Sequence, residues 1–146
     1  KQYGEDQVQL WRRSYDVLPP LAKKGSKFDP KTDKKYENIN EELPLGESLE
    51  KVVERVNSTF LNLLELAKVK QVLVVAHGNS IRAMVKILDN LSNTEIVDVN
   101  IPTGIPLAYK ISESERTRIG YLGDSNKVEQ LQKEVELQSK VKEDKR

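Results

Sequence analysis

His77 is the residue of this chain best suited to chemistry, and it is the only histidine in the sequence. It directly follows the apolar run from Val72 to Ala76. We predict a buried strand over residues 71–76 and a helix over residues 80–91. His77 would then lie at the carboxyl end of a strand, where open α/β sheets carry their binding sites. Imidazole changes charge near neutral pH and can bond a phosphoryl oxygen through either nitrogen.

The residues after His77 are of the types that hold an anion. Gly78 lets a ligand approach the backbone closely, Asn79 can both donate and accept hydrogen bonds, and the free N–H groups of a helix opening at Ser80 attract negative charge. Arg82, one turn further on, could point back toward the same place. The alternative is structural: Asn79 or Ser80 only caps the helix, and His77 is a core residue.

The adjacent arginines Arg12 and Arg13 form a second candidate. On a helix their side chains diverge by about 100°, so they can embrace an anion with several oxygens from two sides. Planar guanidinium groups match phosphate oxygens bidentately. The alternative is a solvated basic face paired to Asp6 or Asp16, and the pattern by itself favours that interpretation.

Hydrophobic periodicity predicts the elements that position these residues. The predicted helices span 5–18, 47–67, 80–91, 93–97 and the residues from 126 onward, and the predicted strands span 71–76, 107–111 and 118–122. A lysine-rich loop over 19–46 connects the first two predicted helices. This order places the chain in the α/β class. Two or three strands cannot complete a covered parallel sheet, so we expect part of the sheet to be missing.

Composition excludes several classes of function. Lys and Arg total 24 against 23 Asp and Glu, and this balance gives no reason to expect nucleic acid as a partner. Without cysteine and with one histidine, the chain has neither a thiolate zinc site nor an imidazole cluster. No membrane-length apolar run or signal peptide is visible. We expect a cytoplasmic protein without a structural metal or membrane partner, and a fragment or processed product because no initiating Met is present.

Four ordered blocks resemble the cofactor-dependent phosphoglycerate mutases of the histidine phosphatase superfamily. The blocks are Trp11-Arg12-Arg13-Ser14-Tyr15-Asp16, Glu42-Leu43-Pro44 with Glu47-Ser48-Leu49, Ala76-His77-Gly78-Asn79-Ser80-Ile81-Arg82, and Asn100-Ile101-Pro102-Thr103-Gly104-Ile105-Pro106. The resemblance implies a three-layer sandwich with helices around a mostly parallel sheet, whose N-terminal strands are absent from this chain. Residues 1–124 would be the C-terminal portion of that domain, and residues 125–146 its charged C-terminal helix or tail.

The resemblance also implies an activity. It is that of a glycolytic isomerase, which interconverts 3-phosphoglycerate and 2-phosphoglycerate through a phosphohistidine enzyme, primed by 2,3-bisphosphoglycerate and needing no metal. His77 matches the second histidine, which stabilises the phosphoryl group in transfer. Arg12 and Arg13 match the paired arginines that hold the substrate, and Gly78 and Asn79 match residues that complete the pocket. The implied partners are a small phosphorylated substrate and, in the complete protein, further copies in a dimer or tetramer.

One departure limits this expectation. The family's nucleophilic histidine, in an Arg-His-Gly motif near the N-terminus, is absent here, and so is the upstream acidic residue that acts as general acid and base. The chain is therefore expected to be roughly the C-terminal three-fifths of such an enzyme and inactive alone. A bisphosphoglycerate mutase, a phosphatase of the same superfamily and a non-catalytic phosphate-binding module remain as alternatives. The long loop over 19–46 argues against a minimal phosphatase.

Overall fold

The structure, a computed structural model, describes residues 3–137 and has a mixed α/β architecture. Within that range the regular elements, in chain order, are helices α1 (Glu5–Arg13), α2 (Leu49–Ala67) and α3 (Gly78–Leu88), strands β1 (Leu107–Ile111) and β2 (Arg116–Tyr121), and helix α4 (Ser125–Leu137). Single 3-10 turns occupy Pro30–Thr32, Lys34–Tyr36 and Glu95–Asp98. The α/β class predicted from the sequence is confirmed. None of these helices is both long and apolar enough to cross a membrane.

Helix α2 is the scaffold of the described part of the chain. Ser48 starts it, because its hydroxyl accepts the Lys51 N–H at 3.3 Å and so satisfies one of the free donors of the first turn. Side chains three or four positions apart then form one buried stripe. Its members are Leu49, Val52, Val56, Phe60 and Leu64. The prediction of a helix over 47–67 is confirmed, with a start two residues later.

The core lies between α2, α3 and the 3-10 turn at Glu95–Asp98. Ala83 of α3 and Ile96 of that turn are both 0% exposed and pack against the first half of the α2 stripe. Tyr15 lies partly buried against the same cluster. This packing fixes the start of α3, which carries the candidate site, against the residues that follow α1.

Helix α1 ends at Arg13, five residues earlier than predicted. Ser14 adopts an extended backbone with ψ of 158°, and the Tyr15 carbonyl accepts the Glu50 N–H at 2.8 Å. The chain therefore leaves the helix to bond the first turn of α2. Helix α3 is likewise shorter than predicted at its end, because Asn90 takes a positive φ of 51° just beyond it.

The predicted buried strand over residues 71–76 is wrong for the described residues. The segment has no strand pairing, and Leu73 and Val75 are 83% and 87% exposed. A strand needs a neighbouring strand to bond its backbone groups, and in residues 3–137 the sheet consists of β1 and β2 paired with each other. His77 therefore follows an exposed, irregular segment rather than a buried strand.

The sheet of residues 3–137 is an antiparallel hairpin, with Leu107 opposite Tyr121 and a register shift between Ala108 and Tyr109. Asp89, just after α3, accepts hydrogen bonds from the Tyr109 hydroxyl at 3.1 Å and from Arg118 at 2.8 Å. These bonds tie the hairpin to α3. Helix α4 confirms the helix predicted from residue 126 up to Leu137; its predicted continuation lies outside the described residues.

Candidate active site

His77 is the N-cap of α3. Its backbone is extended, with φ of −62° and ψ of 147°, and its Nδ1 accepts the Asn79 N–H at 3.2 Å. When Nδ1 accepts, the proton of the neutral ring lies on Nε2, which becomes a donor. The side chain is exposed. The alternative in which His77 is a core residue is therefore wrong, and the imidazole both caps the helix and presents a donor outward.

Asn79 and Arg82 are joined on the next turn of α3. Arg82 Nη1 donates to Asn79 Oδ1 at 3.3 Å, which leaves Nδ2 as the remaining donor of the amide. Arg82 is only 5% exposed, and its Nη2 donates to the Ile96 carbonyl at 2.8 Å and to the Arg13 carbonyl at 3.4 Å. The expectation that Arg82 points into the anion site is not met, because its guanidinium is buried among these carbonyls.

Arg12 and Arg13 diverge, as the sequence predicts: Arg12 is exposed, whereas Arg13 is half-buried. Arg13 Nη2 donates to Asn100 Oδ1. Burial lowers the pKa of Arg13, against the opposing effects of Glu136 and Asp98. A shallow groove of about 400 Å³ runs beside Arg13 and Ser14 and does not include His77 in its lining.

One chain of hydrogen bonds connects the two candidate clusters. Each neighbour in the series is bonded to the next, in the order His77, Asn79, Arg82, Arg13 and Asn100. Three of the four sequence blocks therefore meet at one place. Asn100 was missed as a site residue by sequence reasoning; the only signal for it was its position at the start of the fourth block.

The electrostatics of this place favour an anion. Burial, and then the neighbouring charge of Arg13, lower the pKa of Arg82 to about 10, so Arg82 remains charged at neutral pH. Within residues 3–137 two buried side-chain polar atoms have no hydrogen-bond partner, Arg82 Nε and Ser14 Oγ. The exposed side chains of His77 and Asn79 add outward donors beside the charge of Arg13. Phosphate groups such as those of 2,3-bisphosphoglycerate require donors and positive charge of this kind, so the residues present fit that ligand.

Gly78 opens α3 and borders free space. A Cβ built at this position would meet nothing within 4 Å, and the residue does not have a positive φ. No contact or backbone angle in the described part of the chain therefore demands glycine here. The space above the first turn is open to a ligand.

Comparison with known proteins gives the family. The model of the histidine phosphatase superfamily (branch 1) matches residues 4–117. The chain belongs to the histidine phosphatase superfamily. The matched range contains all five members of the hydrogen-bond chain. The family expected from the four sequence blocks is thereby confirmed.

Two relatives in this superfamily carry the same name. A protein of Treponema denticola named 2,3-bisphosphoglycerate-dependent phosphoglycerate mutase is 42% identical over 146 residues, covering 97% of this chain and 59% of its own length. A protein of the same name from Lachnoclostridium phytofermentans is 41% identical over 145 residues, covering 97% of this chain and 58% of its own length. The chain thus spans about three-fifths of the length of the curated relatives it matches.

Proposed function

We propose that this chain is part of a 2,3-bisphosphoglycerate-dependent phosphoglycerate mutase, which interconverts 3-phosphoglycerate and 2-phosphoglycerate through a phosphohistidine. The names of the two relatives support this activity. The observation that carries the proposal is the hydrogen-bond chain, which links the cap histidine His77 to the substrate-binding candidate Arg13.

Each residue has a part in holding a phosphoryl group. His77 donates from Nε2 to a phosphoryl oxygen, and Asn79 donates from Nδ2. Arg12 and Arg13 hold the other anionic groups of the substrate, and the open space at Gly78 admits a phosphate to the helix N-terminus. Phosphoryl transfer passes through a transition state whose charge is spread over three oxygens, and fixed donors stabilise it best. When bound, 2,3-bisphosphoglycerate supplies the phosphoryl group that primes the enzyme.

The proposed reaction needs a second imidazole as nucleophile, and these residues contain one histidine. The chain by itself therefore binds phosphorylated ligands without turning them over. In the complete enzyme we propose the three-layer sandwich, with residues 71–76 as a strand of a mostly parallel sheet. Residues 1–124 and the charged segment 125–146 belong to one domain of a cytoplasmic enzyme, which assembles into a dimer or tetramer.

Calorimetric titration of the chain with 3-phosphoglycerate tests the binding half of the proposal. We expect Arg13→Ala to weaken binding at least about tenfold, because a charge-assisted hydrogen bond contributes roughly 1.5–3 kcal/mol. Arg116→Ala, at an exposed position of β2, is the matched control and should bind as the wild type does. Absence of binding to a folded wild-type chain, or robust mutase turnover by the chain alone, would refute the proposal.

A fusion tests the catalytic half. The part of the Treponema denticola relative that this chain does not match is joined to residues 1–146, and mutase and phosphatase rates are compared with and without 2,3-bisphosphoglycerate. Mutase activity that depends on 2,3-bisphosphoglycerate and disappears in His77→Ala is the expected result. Faster synthesis of 2,3-bisphosphoglycerate would instead indicate a bisphosphoglycerate mutase, and faster hydrolysis a phosphatase. A folded fusion that binds ligand without any turnover would indicate a non-catalytic module.

A further inference from the structure

Arg82 is buried at a cost that packing does not explain. Its side chain is 5% exposed, and Nε has no hydrogen-bond partner among the described residues. A buried guanidinium loses its hydration, and each unpaired N–H adds to that loss. The burial lowers the pKa of Arg82 to about 10, which reflects how unfavourable the charged form is at this position. An apolar side chain of similar length would fill the same space without this penalty.

The partners of Arg82 come from three separate places in the chain. Its Nη1 bonds the side chain of Asn79, while its Nη2 bonds the carbonyls of Arg13 and Ile96. Ile96 is fully buried and immobilised in the core. The guanidinium group is therefore bonded to the core through Nη2, and it also contacts Asn79 and Arg13, the two residues proposed to bind phosphate.

Burial argues against a direct ligand role for Arg82, because its unpaired Nε is shielded from solvent. A residue that binds substrate must present a donor to solvent, as exposed Arg12 does. Both terminal nitrogens of Arg82 already donate to protein oxygens. Asn79, by contrast, is exposed. Its Oδ1 accepts the bond from Arg82, so its Nδ2 is the side-chain atom that remains to donate to a ligand.

We propose that Arg82 is a positioning residue: it sets the orientation of the Asn79 amide and the place of the Arg13 main chain, so that both donors meet one phosphate. This inference rests on the proposed function for the identity of the ligand. In metal sites, residues that orient a ligating side chain change affinity or activity about 10–100-fold when replaced, and we expect an effect of the same order here. Lysine keeps the charge of Arg82 but, as a single point donor, cannot bridge the same three oxygens.

The first experiment needs no ligand. NMR spectra of the chain report two groups next to Arg82. One is the Asn79 side-chain amide, and the other is the backbone N–H of Ser14, which shares a peptide unit with the Arg13 carbonyl. In Arg82→Met we expect both signals to move and the Asn79 amide to lose its fixed orientation, with partial recovery in Arg82→Lys. Unchanged Asn79 and Ser14 signals would overturn the positioning role whatever the chain binds.

The second experiment uses inorganic phosphate. We expect Arg82→Met to weaken phosphate binding about 10–100-fold, and Arg82→Lys to recover only part of this loss. Val56→Ala, a truncation in the same core, is the matched control for lost stability and should leave phosphate affinity unchanged. Equal losses of affinity in Arg82→Met and Val56→Ala would mean that Arg82 is merely structural.

A third readout separates positioning from direct binding. During the phosphate titration, the Arg13 and Asn79 side-chain signals should shift more than the Arg82 Nε–H signal. A shift of Arg82 Nε–H as large as that of Arg13 would make Arg82 a ligand and overturn the inference. If wild-type chain binds no phosphate, the proposed function fails, while the ligand-free spectra still decide whether Arg82 orients Asn79.

Discussion

Arg13 donates a hydrogen bond from Nη2 to the side-chain oxygen of Asn100, a residue 87 positions away in sequence. Asn100 is itself held, since its carbonyl accepts from the Tyr121 hydroxyl at 3.4 Å and from Gln132 Nε2 at 3.2 Å. The guanidinium proposed to bind substrate is therefore oriented by β2 and α4 as well as by its own helix. A charge introduced at position 100 would therefore act directly on Arg13.

Replacing Asn100 with aspartate should inactivate the anion site without unfolding the chain. The new carboxylate pairs with Arg13 and neutralises it, so we expect phosphate affinity to fall at least about tenfold, the equivalent of one charge-assisted hydrogen bond. Only the 3.3 Å bond from Asn100 Nδ2 to the Asp98 carbonyl is lost in exchange. Calorimetry gives the affinity and thermal melting gives the stability.

Asn62→Asp is the matched control for the Asn100 substitution, because it adds the same charge at an exposed position of α2. It should leave phosphate affinity unchanged at moderate salt, where distant charges are screened. Unaltered phosphate binding by Asn100→Asp would show that Arg13 does not contact the anion.

Helix α2 and the approximate start of α3 could be predicted from the sequence, whereas the contacts between distant segments could not. The stripe of α2 depends on residues within one or two turns, so the pattern predicts α2. The pattern also predicts an anion site near the start of α3, but it begins that helix at Ser80, whereas the structure has His77 as the N-cap. The bonds from Arg82 to Arg13 and from Arg13 to Asn100 depend on how distant segments pack. No local signal specifies them. The strand predicted over 71–76 is absent from residues 3–137 for the same reason, because the stability of a strand depends on a neighbour rather than on its own apolar residues.

The loop over 19–46 should lose stability on acidification through Asp29. Its carboxylate accepts N–H groups from Gly25 at 2.7 Å and Lys31 at 3.0 Å. These bonds hold the pKa of Asp29 below its ordinary value. Because the pKa of Asp29 is lower in the folded than in the unfolded chain, its ionised carboxylate stabilises the fold at any pH above the unfolded-state pKa of about 3.9. That stabilisation is lost as the pH falls through the lower pKa of the folded state.

Thermal melting of wild type and Asp29→Asn between pH 7 and pH 3 measures this contribution. Wild type should be the more stable protein above about pH 5 and should lose that advantage toward pH 3. Asp16→Asn, at an exposed position outside the loop, should follow wild type across the range. A stability difference that grows on acidification would contradict the assigned role of Asp29.

The exposed apolar segment over 71–76 should make the isolated chain self-associate. Leu73 and Val75 are 83% and 87% exposed, so replacing both with lysine removes almost no packing. We expect the double variant to stay monomeric in sedimentation at concentrations where wild type associates, with unchanged thermal stability. The pair Thr59→Lys and Asn62→Lys adds the same charge on exposed α2 positions and should not prevent association.

The same double lysine variant tests the proposed sandwich. In the fusion with the complementary part of the relative, residues 71–76 would be paired in a sheet covered by helices, where strand side chains are buried on both faces. Two buried lysines would then unfold the fusion or abolish its activity. A fusion that tolerates both substitutions would be incompatible with a covered strand at this position.

Gly78→Ala separates ligand access from stability. A Cβ at position 78 meets nothing within 4 Å, and alanine is favoured over glycine in helices by up to about 1 kcal/mol. The melting temperature should therefore stay the same or rise. If a phosphate lies against the backbone at the start of α3, the added methyl group displaces it, and phosphate affinity should fall.

Gly123→Ala is the opposite case and serves as the control for Gly78→Ala. Its Cβ would lie 3.2 Å from Ile105 Cγ2, so the Ile105 side chain must give way slightly. Phosphate affinity should persist whatever the change in stability. Calorimetry and thermal melting on both variants give the comparison. If Gly78→Ala bound phosphate as tightly as wild type, the ligand would have to lie away from the backbone of the first turn of α3 and be held by side chains.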